Sequence, residues 1–295
     1  MDGLGIIIDG RDITENVSVF SGVIDLCLSD LADSASITLQ DADQRWGDWA
    51  PEPGLPVRLT WNGVQILDGA LTSASASNGL YALEIDTAAA RKFRRFSLTC
   101  EGSLKNALSS IAQELGLTAK FTGDFSADVS GVWLESSTGG EMIRALRDLF
   151  CFDFVGDRSA LRFIAADSIA EGAASFSWGE EPGGDFGFTA PPAAHGVTVI
   201  NGQSSASAGD GADIIRAVGV PSAALQRIAD AVTAQRTRAR ASIRIDAGEL
   251  WIPGAVADLD SVAEPFRGRW LIRSCRLDIA QRRQTVGLAS LDIHG

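Results

Sequence analysis

Histidine is nearly missing from this chain: its 295 residues include only His195 and His294. A Ser–His–acid triad could draw only on His195, a loop residue close to Pro191 and Pro192, and no G-x-S-x-G elbow accompanies it. Zinc catalysis through H-E-x-x-H is excluded outright. Cysteine is sparse and scattered, with Cys27, Cys100, Cys151 and Cys275 separated by 73, 51 and 124 residues. That spacing contains no C-x-x-C, so neither a zinc knuckle nor a dithiol redox motif is available. Each cysteine lies in apolar surroundings and reads as a small buried hydrophobe. No apolar run reaches the roughly 18–20 residues of a membrane span. The opening MDGLGIIIDG carries an acid and no basic segment, so a secretory signal is not expected and a soluble protein made in a cytoplasm is.

Positive charge is also short. The net charge is −13, which disfavours sequence-independent nucleic-acid binding, since that mode needs a basic footprint to displace counterions. The deficit is uneven. Residues 1–100 carry 14 acids against 7 bases, and residues 101–229 carry 16 against 8. Residues 230–295 reverse the balance, with 8 acids against 10 arginines and no lysine. Such a chain can associate head to tail or meet acidic partners through its arginine-bearing end, the alternative being ordinary solvated faces. The arginines singled out as partner contacts are Arg236, Arg238, Arg240, Arg267 and Arg269.

Ligand motifs are missing as well. Gly102–Ser103 precedes a helical pattern, the setting of a phosphate loop, but neither G-x-x-x-x-G-K-[ST] nor G-x-G-x-x-G is present. Glu101 would repel an anion there, so Ser103 reads as a helix cap. The segment Asp41–Asp48 has the acids of a calcium loop but lacks its sixth-position glycine and twelfth-position glutamate, and it reads as a turn. A lytic enzyme needs two opposed carboxylates, for which Glu135, Glu141 and Asp148 are the nearest set, without a pattern that singles out a general acid. The tryptophans, Trp46, Trp49, Trp61, Trp133, Trp178, Trp251 and Trp270, are spread along the chain, which favours core or subunit-contact roles over a carbohydrate platform. No catalytic residue, cofactor or metal is expected.

What is present is β pattern interrupted by helices. Strands are predicted at 5–9, 17–28, 35–39, 57–61, 64–71 and 80–86, with Asn62–Gly63 and Asn78–Gly79 as hairpin turns. The apolar stripe Leu104, Leu108, Ile111, Ala112 and Leu115 predicts a helix capped by Ser103 and ended by Gly116. A second helix opens with the capping box Thr138–Glu141 and buries Ile143, Leu146 and Phe150. A hairpin over 151–164 follows, then a linker rich in Gly, Pro and acid over 172–192, a strand at 196–201 and a mobile loop at 202–213. A third helix spans 222–240, its last turn carrying Arg236, Arg238 and Arg240 against the negative end of its dipole. Strands return at 241–245, 249–252, 256–259, 269–275, 277–280 and 284–290. The expected fold is mainly β: a β-barrel over 1–98, an α+β insert over 99–190, and a second, similar β-barrel with one helix over 191–295.

Several local patterns resemble the late-control protein D family, the baseplate hubs of contractile phage tails, related to the N-terminal part of VgrG. Residues 36–43, "SITLQDAD", are similar to its strand and D-x-D turn, followed by "PGLPVRL" at 53–59 and "LDG" at 67–69. Gly102–Ser103–Leu104 with Leu115–Gly116–Leu117 resembles its insert helix. "IRAL" at 143–146, "FDF" at 152–154 and "ALRF" at 160–163 resemble its helix–strand–turn–strand unit. "LWIPG" at 250–254, "FRGRWLI" at 266–272 and "TVGL" at 285–288 resemble its last strands. A histidine common in that family is replaced here by Cys275–Arg276–Leu277–Asp278, and a full VgrG with a spike or enzymatic extension is not expected.

The resemblance implies a non-enzymatic structural protein of the virion tail baseplate, assembled in the host cytoplasm. It implies a homotrimer whose paired barrels form a pseudo-sixfold ring joining the hexameric tail tube to the central spike. Tube, spike, baseplate wedge and tape-measure proteins are the implied partners, and an acidic lumen would let DNA pass without sticking. A hub of a pyocin-like or type VI-like device, a peptidoglycan hydrolase and a carbohydrate-binding tail protein are the competing readings.

Overall fold

Alternation of apolar with small or polar residues builds the first β region, in which one side chain in two turns inward. Its strands are β1 (Leu4–Ile8), β2 (Arg11–Asp12), β3 (Ser18–Cys27), β4 (Ser34–Gln40), β5 (Pro56–Trp61), β6 (Val64–Ser77) and β7 (Leu80–Asp86). Both Asn-Gly turns form as expected, with φ of 49° and 81° at Asn62–Gly63 and 53° and 75° at Asn78–Gly79. The computed structural model describes residues 3–29, 33–40, 51–87, 94–156, 159–165, 168, 185–189, 196–236, 238–259 and 267–291. The Asp41–Asp48 turn, Trp46, Trp49, Trp178, both histidines and most of the 172–192 linker lie outside them.

The middle of the chain holds β8 (Arg95–Thr99), α1 (Leu104–Glu114), β9 (Thr118–Thr122), β10 (Trp133–Thr138), α2 (Gly139–Phe150), β11 (Phe152–Gly156), β12 (Ala160–Ala165) and β13 (Asp185–Thr189). Then come β14 (Val197–Ile200), β15 (Ser205–Ala208), β16 (Asp213–Arg216) and α3 (Leu225–Arg236). The chain ends with β17 (Arg240–Asp246), β18 (Val256–Leu259), β19 (Gly268–Asp278) and β20 (Arg283–Ser290).

The mainly β character with a helical middle matches the expectation; the two closed barrels do not. Strands of both β regions belong to one twelve-stranded sheet, in the order β13-β17-β20-β19-β3-β4-β7-β6-β5-β1-β2, with β18 beside β19. No sheet among the described residues closes on itself. The edge of β3 over Val23–Cys27 is paired antiparallel with Ser274–Asp278 of β19, so it is spent on joining the two regions and cannot close the first. β19 manages this because it is one long strand where two short ones were expected. Its first half, from Gly268, pairs with β18 and its second half with β3.

Other expectations are corrected by pairing that the local pattern does not reveal. The 202–213 loop contains β15, which forms a hairpin with β14. Gly196 is required at the base of this sheet, since a Cβ there would lie 1.9 Å from the Ala208 carbonyl oxygen. The third helix ends at Arg236, not 240, because Arg240–Asp246 alternates exposed and buried residues and pairs with β20. The segment 249–252 is not a strand. The buried Gln284 amide takes the place of a strand partner, accepting from Trp251 N at 3.0 Å and donating to the Glu249 carbonyl at 2.6 Å.

Three apolar clusters fill the interior. The first β region shares one with the far end, where Cys275, Leu277 and Ala247 join Ile24, Ile37, Leu59 and Leu83. The C-terminal strands keep their own around Trp251, Trp270 and Ile272. The third runs from Cys100 to Val232, so α3 packs with α1, α2 and the phenylalanines of β11 and β12. Each fully buried Leu, Ile or Phe contributes about 1.5–3 kcal/mol relative to leaving it exposed. The Trp61 indole donates to the Ala247 carbonyl at 2.9 Å and the Asn62 amide to that of Gly248 at 2.7 Å, docking the first region on the last.

Candidate functional site

The Gly102–Ser103 helix start is structural. Ser103 Oγ accepts from Asn106 N at 3.3 Å, as a cap should. The two preceding helix donors are also occupied, Leu104 N by the Ala127 carbonyl at 2.7 Å and Lys105 N by that of Phe125 at 3.0 Å. An anion cradle needs those N–H groups free.

A different place gathers charge. At the end of α2, Cys151 adopts the left-handed conformation (φ 50°, ψ 53°) and its N–H bonds to the Arg147 carbonyl at 2.7 Å. The chain thus turns from helix into β11 within one residue. The two-residue period of β11 puts Phe152 and Phe154 on one face, within 6.4 Å of the Phe163 ring, and Asp153 on the other. Asp153 is 5% exposed and is reached from three parts of the chain. Ser29 Oγ donates to its Oδ1 at 2.6 Å, the Arg273 guanidinium at 2.7 Å, and Arg147 Nε lies 3.7 Å away. Arg273 is the extra residue of a β-bulge between Ile272 and Ser274, a device that re-aims a side chain out of the regular pleat.

The two arginines that meet this carboxylate also line a cleft of about 390 Å³, together with Arg236, Arg238 and Arg240 and with Gly287–Ala289 of β20 as part of its wall. Three of the five arginines singled out from sequence, Arg236, Arg238 and Arg240, therefore meet in one place. Arg267 and Arg269 do not line it; Arg269 sits on β19 opposite Asp258. Arg147 and Arg273 were missed, since neither helix nor strand period marks them as neighbours.

The charges are only partly matched. Arg147 and Arg273 share Asp153, Arg147 also meets Asp148 at 3.3 Å, and Arg236 pairs with Asp213. Arg238 and Arg240 have no ion pair or side-chain hydrogen bond among the described residues. Burial pushes the nearby Cys151 thiol up to about 11, against the opposing pull of Arg147 and Arg238.

The other sequence candidates are dispersed. Glu141 closes its capping box on Thr138 at 2.7 Å, Asp148 faces Arg147, and Glu135 is exposed on β10. Hydrogen bonds from the backbone and hydroxyl of Thr138 hold the Glu141 carboxyl below its usual range. Of the described tryptophans, Trp61, Trp251 and Trp270 are core residues and Trp133 is 62% exposed. None of the four cysteines is in a disulfide; Cys100, Cys151 and Cys275 are buried as expected, but Cys27 is only half-buried. Among the described residues no group of three or more His, Cys, Asp or Glu side chains is placed to hold a metal ion. No described helix is long and apolar enough to cross a membrane. A second cavity of about 500 Å³ lies between the helices, walled by Leu104, Phe125, Phe150, Phe152 and Ile228.

No family pattern matches the sequence, and no curated protein does. Solved structures do match, over nearly the whole length of both chains. The tail protein from Neisseria meningitidis MC58 superposes with a TM-score of 0.76 at 14% identity, covering 99% of this chain and 97% of its own. The chain carries the fold of phage-type tail proteins. The 43 kDa tail protein of prophage MuSo2 from Shewanella oneidensis gives a TM-score of 0.70 at 11% identity, covering 99% of this chain and 98% of its own. The prophage tail protein gp18 from Listeria monocytogenes EGD-e gives 0.65 at 10% identity, covering 100% and 96%.

Proposed function

We propose that this chain is a structural, non-enzymatic component of a contractile phage tail, acting as the hub of the baseplate. Three copies would form a ring in which two β regions per chain present six similar surfaces to the hexameric tail tube and threefold symmetry to the central spike. Wedge and tape-measure proteins are the further neighbours in this reading, and the virion tail is the final location after assembly in the host cytoplasm. The observation that carries it is the whole-length likeness to three tail proteins. The sheet that runs through both β regions supports it, since a part transmitting force between tube and spike gains from a continuous hydrogen-bonded path. The acidic surface suits a lumen that DNA crosses without sticking. Light scattering of the chain, alone and with the spike protein, tests the reading: a trimer is expected, and a monomer under both conditions at every concentration would overturn it.

A further inference from the structure

The arginine-lined cleft has more charge than its own carboxylates neutralise. Five guanidinium groups surround about 390 Å³, and the acids paired with them are Asp148, Asp153 and Asp213. Arg273 is held by a hydrogen bond to the buried Asp153, and Arg147, itself mostly buried, lies within ion-pair distance of the same carboxylate. Arg238 is half-buried and Arg240 exposed at the mouth, and no described carboxylate pairs with either. A guanidinium fork matches a carboxylate bidentately, and a cleft with rigid walls reduces the ordering cost of such a pair.

The charge pattern of the chain names the occupant. Residues 1–229 carry 30 acids against 15 bases, while residues 230–295, which supply four of the five cleft arginines, carry 8 acids against 10. Two copies in the same orientation around a ring meet unlike surface to unlike surface, a heterologous contact that closes when the rotation closes. The geometry points to the cleft formed by Arg147, Arg236, Arg238, Arg240 and Arg273 as the socket that receives a carboxylate-bearing surface of a second copy of this chain. This inference rests on the ring reading above. Long-range repulsion between copies of net charge −13 is screened beyond a Debye length of roughly 8 Å at physiological ionic strength, whereas pairs inside a cleft are screened much less.

Sedimentation equilibrium of the full chain tests it, comparing wild type with the R238E/R240E variant, the milder R238A/R240A, and R58E, an exposed arginine on β5 far along the sheet. Wild type and R58E should self-associate equally. R238A/R240A should weaken association about tenfold and R238E/R240E further, with melting temperatures unchanged because neither arginine has an ion pair or side-chain hydrogen bond among the described residues. Unchanged association in the cleft variants would overturn the socket while leaving the ring intact. A wild-type chain that stays monomeric overturns it too, the ring then being judged by the shape of the assembled particle. Association of the cleft variants lost together with their melting transition counts against it if R238A/R240A shows the same collapse, because the arginines would then serve the fold.

Discussion

Asp153 accepts a 2.7 Å hydrogen bond from Arg273, a residue 120 positions further along the chain, and so ties the helical middle to the last β region. Ser29 closes the joint from the first region. Its Oγ donates to Asp153, it accepts from Phe154 N at 3.3 Å, and its own N–H donates to the Phe154 carbonyl at 2.7 Å. Three parts of the chain meet at one carboxylate.

Replacing that carboxylate should be costly. Asp153→Ala takes from Arg273 its ion-pair partner and leaves Arg147 only Asp148, and a loss of about 2–4 kcal/mol is expected, below the full value for a dry pair because Arg273 is 27% exposed. Urea denaturation measures it. Removing Arg273 as well should cost less than the two single losses added, because the double variant no longer holds Arg273 without its carboxylate.

Gln284 is fully buried, and its amide serves Trp251 N and the Glu249 and Asp246 carbonyls. Gln284→Leu removes these three hydrogen bonds to backbone groups and should destabilise by about 2–3 kcal/mol. Hydrogen exchange at the Trp251 amide should accelerate more than at β17 amides.

Alkali should weaken the fold through two thiols. Burial pushes Cys275 up to about 12 and Cys151 to about 11, from an ordinary value of 9.0. Above pH 9 the unfolded chain releases protons that the folded chain keeps. Stability is therefore complete below pH 9 and falls as pH rises toward 11–12, by up to about 1.4 kcal/mol per pH unit for each thiol. Cys151→Ser/Cys275→Ser should flatten the alkaline limb of a stability–pH curve. The same burial predicts that Cys27 is alkylated first at neutral pH.

The Thr138–Glu141 capping box should be separable from the clefts. Thr138→Ala removes the acceptor for Glu141 N and should cost about 1 kcal/mol. Glu141 is held below its ordinary range, so its share of the box is present at neutral pH and lost on acidification through that range. Thermal melts at pH 7 and pH 3 should show the Thr138→Ala penalty shrinking at the lower pH.

The legible parts of the fold were those decided within a few residues. Asn62–Gly63, Asn78–Gly79, the Ser103 cap and the Thr138 box each depend on neighbouring φ angles and side-chain reach. What sequence hid was partner choice. The Ser274–Cys27 pairing that joins the regions, and prevents two barrels, is a matter of which edge meets which, and side-chain period is silent about that. Helix-dipole reasoning extended α3 through Arg240, whereas the alternation Arg240, Ser242, Arg244 against Ala241, Ile243, Ile245 already carried a strand signal. For the candidate site, the arginine excess of the last 66 residues was visible as composition. Arg273 reaches the cleft through a bulge and Arg147 from the last turn of α2, and neither leaves a local pattern.

The most direct measurement is an electron cryo-microscopy image of this chain assembled with tail tube and spike proteins. The account predicts a ring of three copies between a sixfold tube and a threefold spike, with the two β regions of each chain alternating around the tube end. A particle in which the chain lies outside the axis, or is present in a number other than three, would contradict it.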